Sequence, residues 1–193
     1  MGIKTDAFAA LYAKFGTDVV NQVVAHHEQN GGVSRFKKFR HYHLEFLDQH
    51  LSNAKMEALN NEFSDLVFDK ILTAKEINGV FAFIEDKISS GKLCVINSAT
   101  PEDELILIMN QRSFTKYFHS ILGSPLTKFE NLEKIKARFK CEYSDMVFFG
   151  DAVADFEAAT KAGVDFVGVG DEGSILSGGD YVCELISDFA EVY

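Results

Sequence analysis

Apolar positions recur at helical spacing through the first eighty residues. Ala7, Ala10, Leu11 and Phe15 share one face of a predicted helix, and Gly16 follows as its stop. Val19, Val20, Val23 and Val24 open a second amphipathic stretch that runs to the breaker Asn30-Gly31-Gly32. Phe36, Phe39, Tyr42 and the run from Leu44 to Leu47 predict a third helix, and residues 54–72 a fourth. No strand is expected here, so residues 1–78 read as a small helical bundle.

From residue 80 the period changes. Residues 80–88 are helical in pattern and Gly91 closes the turn. Leu93-Cys94-Val95-Ile96 is a short apolar run, the signature of a strand covered on both faces. Thr100-Pro101-Glu102-Asp103 has the hydroxyl, proline and acids of a helix start, and the helix continues to Arg112. Residues 118–122 predict a short strand, 131–139 a helix, 146–149 a second buried strand and 156–162 a helix stopped by Gly163. Residues 166–169 and 181–186 predict further strands. Alternation of this kind implies an α/β fold with a Rossmann-like, doubly wound parallel sheet over residues 79–193.

Composition narrows the function classes. Of the 193 residues, 47% are hydrophobic and 25% charged, as in a soluble globular protein. The net charge of -10 argues against nucleic acid and anionic membranes as partners, since both need a basic surface. It leaves phosphate substrates open, because a bound cation can supply local positive charge. Lys4, Asp6, Lys14 and Asp18 interrupt any signal-like apolar core, and no apolar run approaches the ~18 residues of a membrane span. Cys94, Cys141 and Cys183 are odd in number and scattered, which predicts reduced thiols in a cytoplasmic protein.

In open parallel sheets, ligands bind beyond the carboxyl ends of the strands. The polar residues there are Ser98 after the first run, and Asp151 and Asp155 after the second. Lys128 lies in Gly123-Ser124-Pro125-Leu126-Thr127-Lys128, near a helix start. Taken singly, Ser98 is a strand-end hydroxyl and Lys128 a solvated lysine. Together with two carboxylates they suit a metal–phosphate site: carboxylates hold Mg²⁺, while lysine and hydroxyl orient phosphate oxygens. The histidines do not form a zinc motif. His26-His27-Glu28 lacks the His-Glu-x-x-His spacing, and His41 and His43 do not share a helix face.

These residues resemble three signature motifs of the haloacid dehalogenase superfamily. Val95-Ile96-Asn97-Ser98 resembles the second motif, whose hydroxyl binds the phosphoryl group. Lys128 resembles the third. Gly150-Asp151-Ala152-Val153-Ala154-Asp155 resembles the fourth, the Gly-Asp-x-x-x-Asp metal motif. The helical region resembles the α-helical cap of a phosphoglycolate-phosphatase-like branch, in which Arg35 would bind a substrate anion. The resemblance implies a phosphomonoester hydrolase for a small phosphorylated metabolite, dependent on Mg²⁺ and working through an aspartyl phosphate.

One departure stands out. The superfamily's first motif is Asp-x-Asp, carrying the nucleophile and the general acid–base, and no Asp-x-Asp occurs in these residues. The resemblance places Met1 already inside the cap's first helix. The nucleophile strand of the core is therefore expected to be missing, and its two neighbours to lack a ladder partner. Direct pairing of the neighbours, self-association or a strand from another chain would close that gap. Two readings follow: a truncated hydrolase, inactive as written, or a non-catalytic phosphate- and metal-binding or regulatory module.

Overall fold

The computed structural model describes residues 2–171, 173–178, 181–190 and 192. The chain divides into two compact units, Met1–Ala74 and Lys75–Tyr193.

The first unit is helical: α1 (Ile3–Tyr12), α2 (Thr17–Gln29), α3 (Arg35–His41) and α4 (Asn53–Leu72). Gly16 takes a positive φ of 94° between α1 and α2, a conformation open to glycine without strain. Ser34 and Ser52 cap α3 and α4 by accepting from the backbone N–H groups of Phe36 and Lys55, at 3.3 Å each. The third helix predicted through Leu47 is α3 followed by a π turn over Tyr42–Phe46. The helical stripes meet in one core. Phe8 of α1 lies 4.6 Å from Phe63 of α4 and packs edge-on against Phe39 and Tyr42. Edge-to-face geometry suits the ring quadrupoles and adds to the apolar burial.

One core group runs against the apolar pattern. Lys38 on α3 is 2% exposed. Its Nζ donates to His27 Nδ1 at 2.7 Å and lies 5.6 Å over the Phe8 ring.

The second unit is α/β. It contains α5 (Val80–Ser89), β1 (Val95–Pro101), α6 (Glu102–Gln111), β2 (Ser120–Ser124), α7 (Lys128–Phe139), β3 (Val147–Gly150), α8 (Val153–Ala162), β4 (Asp165–Val169) and β5 (Glu184–Ile186). All pairings are parallel. β1 pairs with β2 in the register Ile96↔Ile121, β3 with β4 at Phe148↔Phe166, and β4 with β5 at Gly168↔Leu185. Side chains of β3 alternate between faces. Phe148 joins the cluster of Leu132, Ala158 and Ala159 beneath α7 and α8. Phe149 packs against Phe83 of α5 at 5.3 Å and Phe189 at 5.4 Å. Helices thus cover both faces, as doubly wound alternation requires.

The parallel strands form two ladders, ordered β1-β2 and β3-β4-β5, with no ladder between them among the described residues. Element boundaries differ from the sequence expectation. β2 begins at Ser120 rather than 118, because Phe118 closes a 3₁₀ turn over Thr115–Tyr117. β5 begins at Glu184 rather than 181, Tyr181 lying instead against the Phe156 ring at 5.5 Å. Among the described residues no helix is long and apolar enough to cross a membrane.

Candidate active site

The site is built where α7 starts. Thr127 caps that helix through a reciprocal pair: its hydroxyl accepts from the Glu130 N–H at 3.2 Å, and the Glu130 carboxylate accepts from the Thr127 N–H at 2.7 Å. This fixes Lys128 at the first helical position. Its Nζ donates to Asp155 Oδ1 and sits 5.8 Å over the Phe148 ring of β3. Asp155 is 3% exposed, and its second oxygen accepts from the Ala152 N–H at 3.2 Å, closing the start of α8. Burial lifts the Asp155 carboxyl above the usual carboxylate range. The Lys128 ammonium opposes that rise, and the nearby Asp151 charge adds to it. Asp151 itself is exposed.

Ser98 is the central residue of β1 rather than a residue following it, and its hydroxyl accepts from the Thr100 N–H at 3.2 Å. Its neighbour Asn97 makes the link to the lysine. Asn97 Nδ2 donates to the Lys128 carbonyl at 2.8 Å, and Asn97 Oδ1 accepts from Asn131 Nδ2 at 3.0 Å. Asn131 is fully buried and also donates to the Gly123 carbonyl at 3.3 Å. The structure therefore joins Lys128 to Asp155, sets Asp151 within electrostatic reach, and ties β1, through Asn97, to the same helix start. Arg35 belongs to the first unit, where it is 5% exposed, donates to Ser64 Oγ at 2.8 Å and stacks on Phe63 at 4.5 Å.

Asn97 and Asn131 were not legible in the sequence as site residues. Their only sequence signal is a polar side chain inside an apolar run and another on the inner stripe of a helix.

Gly150 shows how tightly the carboxylate is held. A Cβ there would fall 2.6 Å from Asp155 Cγ. Gly150→Ala is expected to push Asp155 off Lys128 and to cost about 1–3 kcal/mol, as overpacking does. Urea unfolding of the core unit measures this, and an unchanged midpoint would refute the tight fit.

The residues only partly fit a metal. Asp155 has both oxygens engaged, and no group of three His, Cys, Asp or Glu side chains is gathered among the described residues. A hard cation would need water or further oxygens beside Asp151, so no step is routed through one.

Comparison with known proteins gives the family. A family model for haloacid dehalogenase-like hydrolases matches residues 6–169. No curated protein matches the chain in sequence. Among solved structures, β-phosphoglucomutase from Clostridium difficile superposes with a TM-score of 0.77 at 17% identity, covering 99% of this chain and 86% of that one. A haloacid dehalogenase-like hydrolase from Bacteroides fragilis gives 0.76 at 16% identity, covering 99% and 91%. CbbY from Rhodobacter sphaeroides, crystallised with xylulose-1,5-bisphosphate, gives 0.71 at 11% identity, covering 98% and 88%. At these identities the structures establish the fold: an α/β core of the same kind. The family match spans most of the chain, and it includes the start of α7 and the turn after β3. On that match, the chain belongs to the haloacid dehalogenase-like hydrolase family.

Proposed function

We propose that the second unit binds the phosphoryl group of a small phosphorylated metabolite, as the substrate site of a phosphomonoester hydrolase. The observation that carries this reading is the Lys128 ammonium at the start of α7, seated on Asp155 in the first turn of α8. Ser98 and Lys128 would orient and neutralise phosphate oxygens. Asp151, with Asp155, is the candidate carboxylate pair for Mg²⁺, which when bound would neutralise charge on the transferred group. Arg35 is the candidate contact of the helical unit with a substrate anion.

Turnover is not expected from these residues alone. The aspartyl-phosphate route needs a nucleophilic carboxylate and a second acid–base carboxylate, and the sequence holds no Asp-x-Asp to supply them. The second reading is a phosphate-binding or regulatory module without hydrolysis. Two measurements decide. Hydrolysis of an aryl phosphate with Mg²⁺ is expected to stay at background. Clear turnover, abolished by Asp151→Ala, would overturn that half. Inorganic phosphate is expected to bind, and to lose roughly tenfold or more in affinity in Ser98→Ala, which deletes one hydroxyl contact. Equal phosphate affinity in both proteins would overturn the binding site.

A further inference from the structure

Two polar atoms near the start of α7 are buried and without a hydrogen-bond partner among the described residues: Ser124 Oγ and Asn131 Oδ1. Ser124 is 2% exposed and Asn131 fully buried. Buried polar atoms in folded proteins are paired, either with protein or with ordered water. The Asn131 orphan is fixed by its neighbours. The Lys128 carbonyl accepts from Asn97 Nδ2 at 2.8 Å, so Asn97 must turn its oxygen to Asn131. Asn131 meets that oxygen at 3.0 Å and the Gly123 carbonyl at 3.3 Å, and both are acceptors. Asn131 Nδ2 therefore spends both its hydrogens, and turning the amide over would set oxygen against oxygen twice.

The Ser124 hydroxyl lies on the same side of β2. Asn97 reaches α7 and is in register with Leu122, so Leu122 and, two residues on, Ser124 face α7 as well. Gly123 between them faces the other way: a Cβ there would fall 2.7 Å from the backbone nitrogen of Glu102, at the start of α6. The Gly123 carbonyl that Asn131 holds is part of the peptide bond to Ser124, which makes the two orphans neighbours.

We propose that Ser124 and Asn131 hold one buried water molecule between β2 and α7. The water donates to Asn131 Oδ1 and shares a second bond with the Ser124 hydroxyl, which can donate or accept. A cation is a poor occupant, because two neutral oxygens are too few ligands for it. An anion would face Asn131 Oδ1, itself an acceptor. Water supplies the donor that Oδ1 needs and a partner for the hydroxyl. With it in place, the Lys128 carbonyl is linked through Asn97 and Asn131 to side chains of both β1 and β2. The inference does not depend on the phosphate reading.

Ser124→Ala tests it by the sign of its effect on urea unfolding. If the water is held, removing the hydroxyl breaks a bond to it, and the folding equilibrium constant should fall about fivefold. An unpaired hydroxyl would instead weigh against the fold, so a constant that is unchanged or higher in Ser124→Ala would overturn the proposal. In an Asn131→Leu background the water has lost its acceptor, and the loss caused by Ser124→Ala should disappear. A loss of the same size there would count against a shared water. Should Asn131→Leu fail to fold, the sign in the wild-type background still decides. A crystal structure of the chain is expected to show one ordered water within hydrogen-bond distance of both atoms. A direct Ser124–Asn131 bond, or two dry atoms, would refute it.

Discussion

Lys128→Met is expected to destabilise the core unit by about 3–5 kcal/mol, the usual cost of removing one partner from a buried ion pair. The side chains of Lys128 and Asp155 are 12% and 4% exposed. Losing the ammonium leaves a carboxylate with little water to solvate it. Part of the cost would be relieved by protonation, and the sign of the pH dependence follows. The Asp155 carboxyl is already raised above its ordinary range by burial, and Lys128 is what holds it down. A raised folded-state value means that the native protein binds more protons than the unfolded chain just above the ordinary carboxylate range. Stability from that group is present in acid and lost as pH rises through the folded value. In Lys128→Met the window widens upward, so the variant should lose more stability near neutral pH than at about pH 5. The double variant Lys128→Met/Asp155→Leu should recover most of the loss, because apolar replacements of a buried pair are often neutral. Urea unfolding of the three variants at the two pH values measures this. A double variant as unstable as the sum of the singles would refute the pairing.

In the helical unit the expected effect has the opposite sign. Lys38→Met should stabilise that unit by about 1–4 kcal/mol near pH 6. Burial, then the Lys4 charge, pushes the Lys38 amine down to about 7 from 10.5. The groups facing it are His27 from α2 and Lys4 from α1, with Arg35 one turn earlier on α3 and the Phe8 ring beneath. None of these is a carboxylate. A depressed lysine means that the unfolded chain binds the extra proton between about 7 and 10.5. Stability therefore rises with pH across that window, and the full penalty applies below it. His27, pushed down to about 4 mainly by burial, adds a second rise between about 4 and 6.5. Met keeps the stem of the lysine and discards the charge, at the cost of two hydrogen bonds to His27, one to its ring and one to its carbonyl. The gain should shrink towards zero above about pH 10, where the wild-type amine is neutral. Unfolding followed at pH 6 and again near 10 tests this, and a variant less stable at both would show that the amine is a net stabiliser.

Much of the architecture was legible because it is local. Helical stripes in the first eighty residues need only neighbours three or four apart, and they recur as α1 to α4. The apolar runs ending in Ser98 and Asp151 are strands by the same short-range logic. The turn Gly150-Asp151 to Asp155 was visible because a glycine, two acids and a helix start fall within six residues. Boundaries slipped where a side chain found a distant partner, as Tyr181 did against Phe156.

What the sequence determined by itself is the family, the α/β pattern and the choice of Ser98, Lys128, Asp151 and Asp155 as candidate polar residues. These depend on spacing along the chain. The tertiary structure alone decided that Asp155 spends both oxygens on Lys128 and the α8 start, and that Asn97 and Asn131 hold the lysine's helix. Those contacts join residues 27 and 34 positions apart. No periodicity encodes such distances. Which buried polar groups meet is set by how helices and strands pack, and that is a property of the folded chain as a whole.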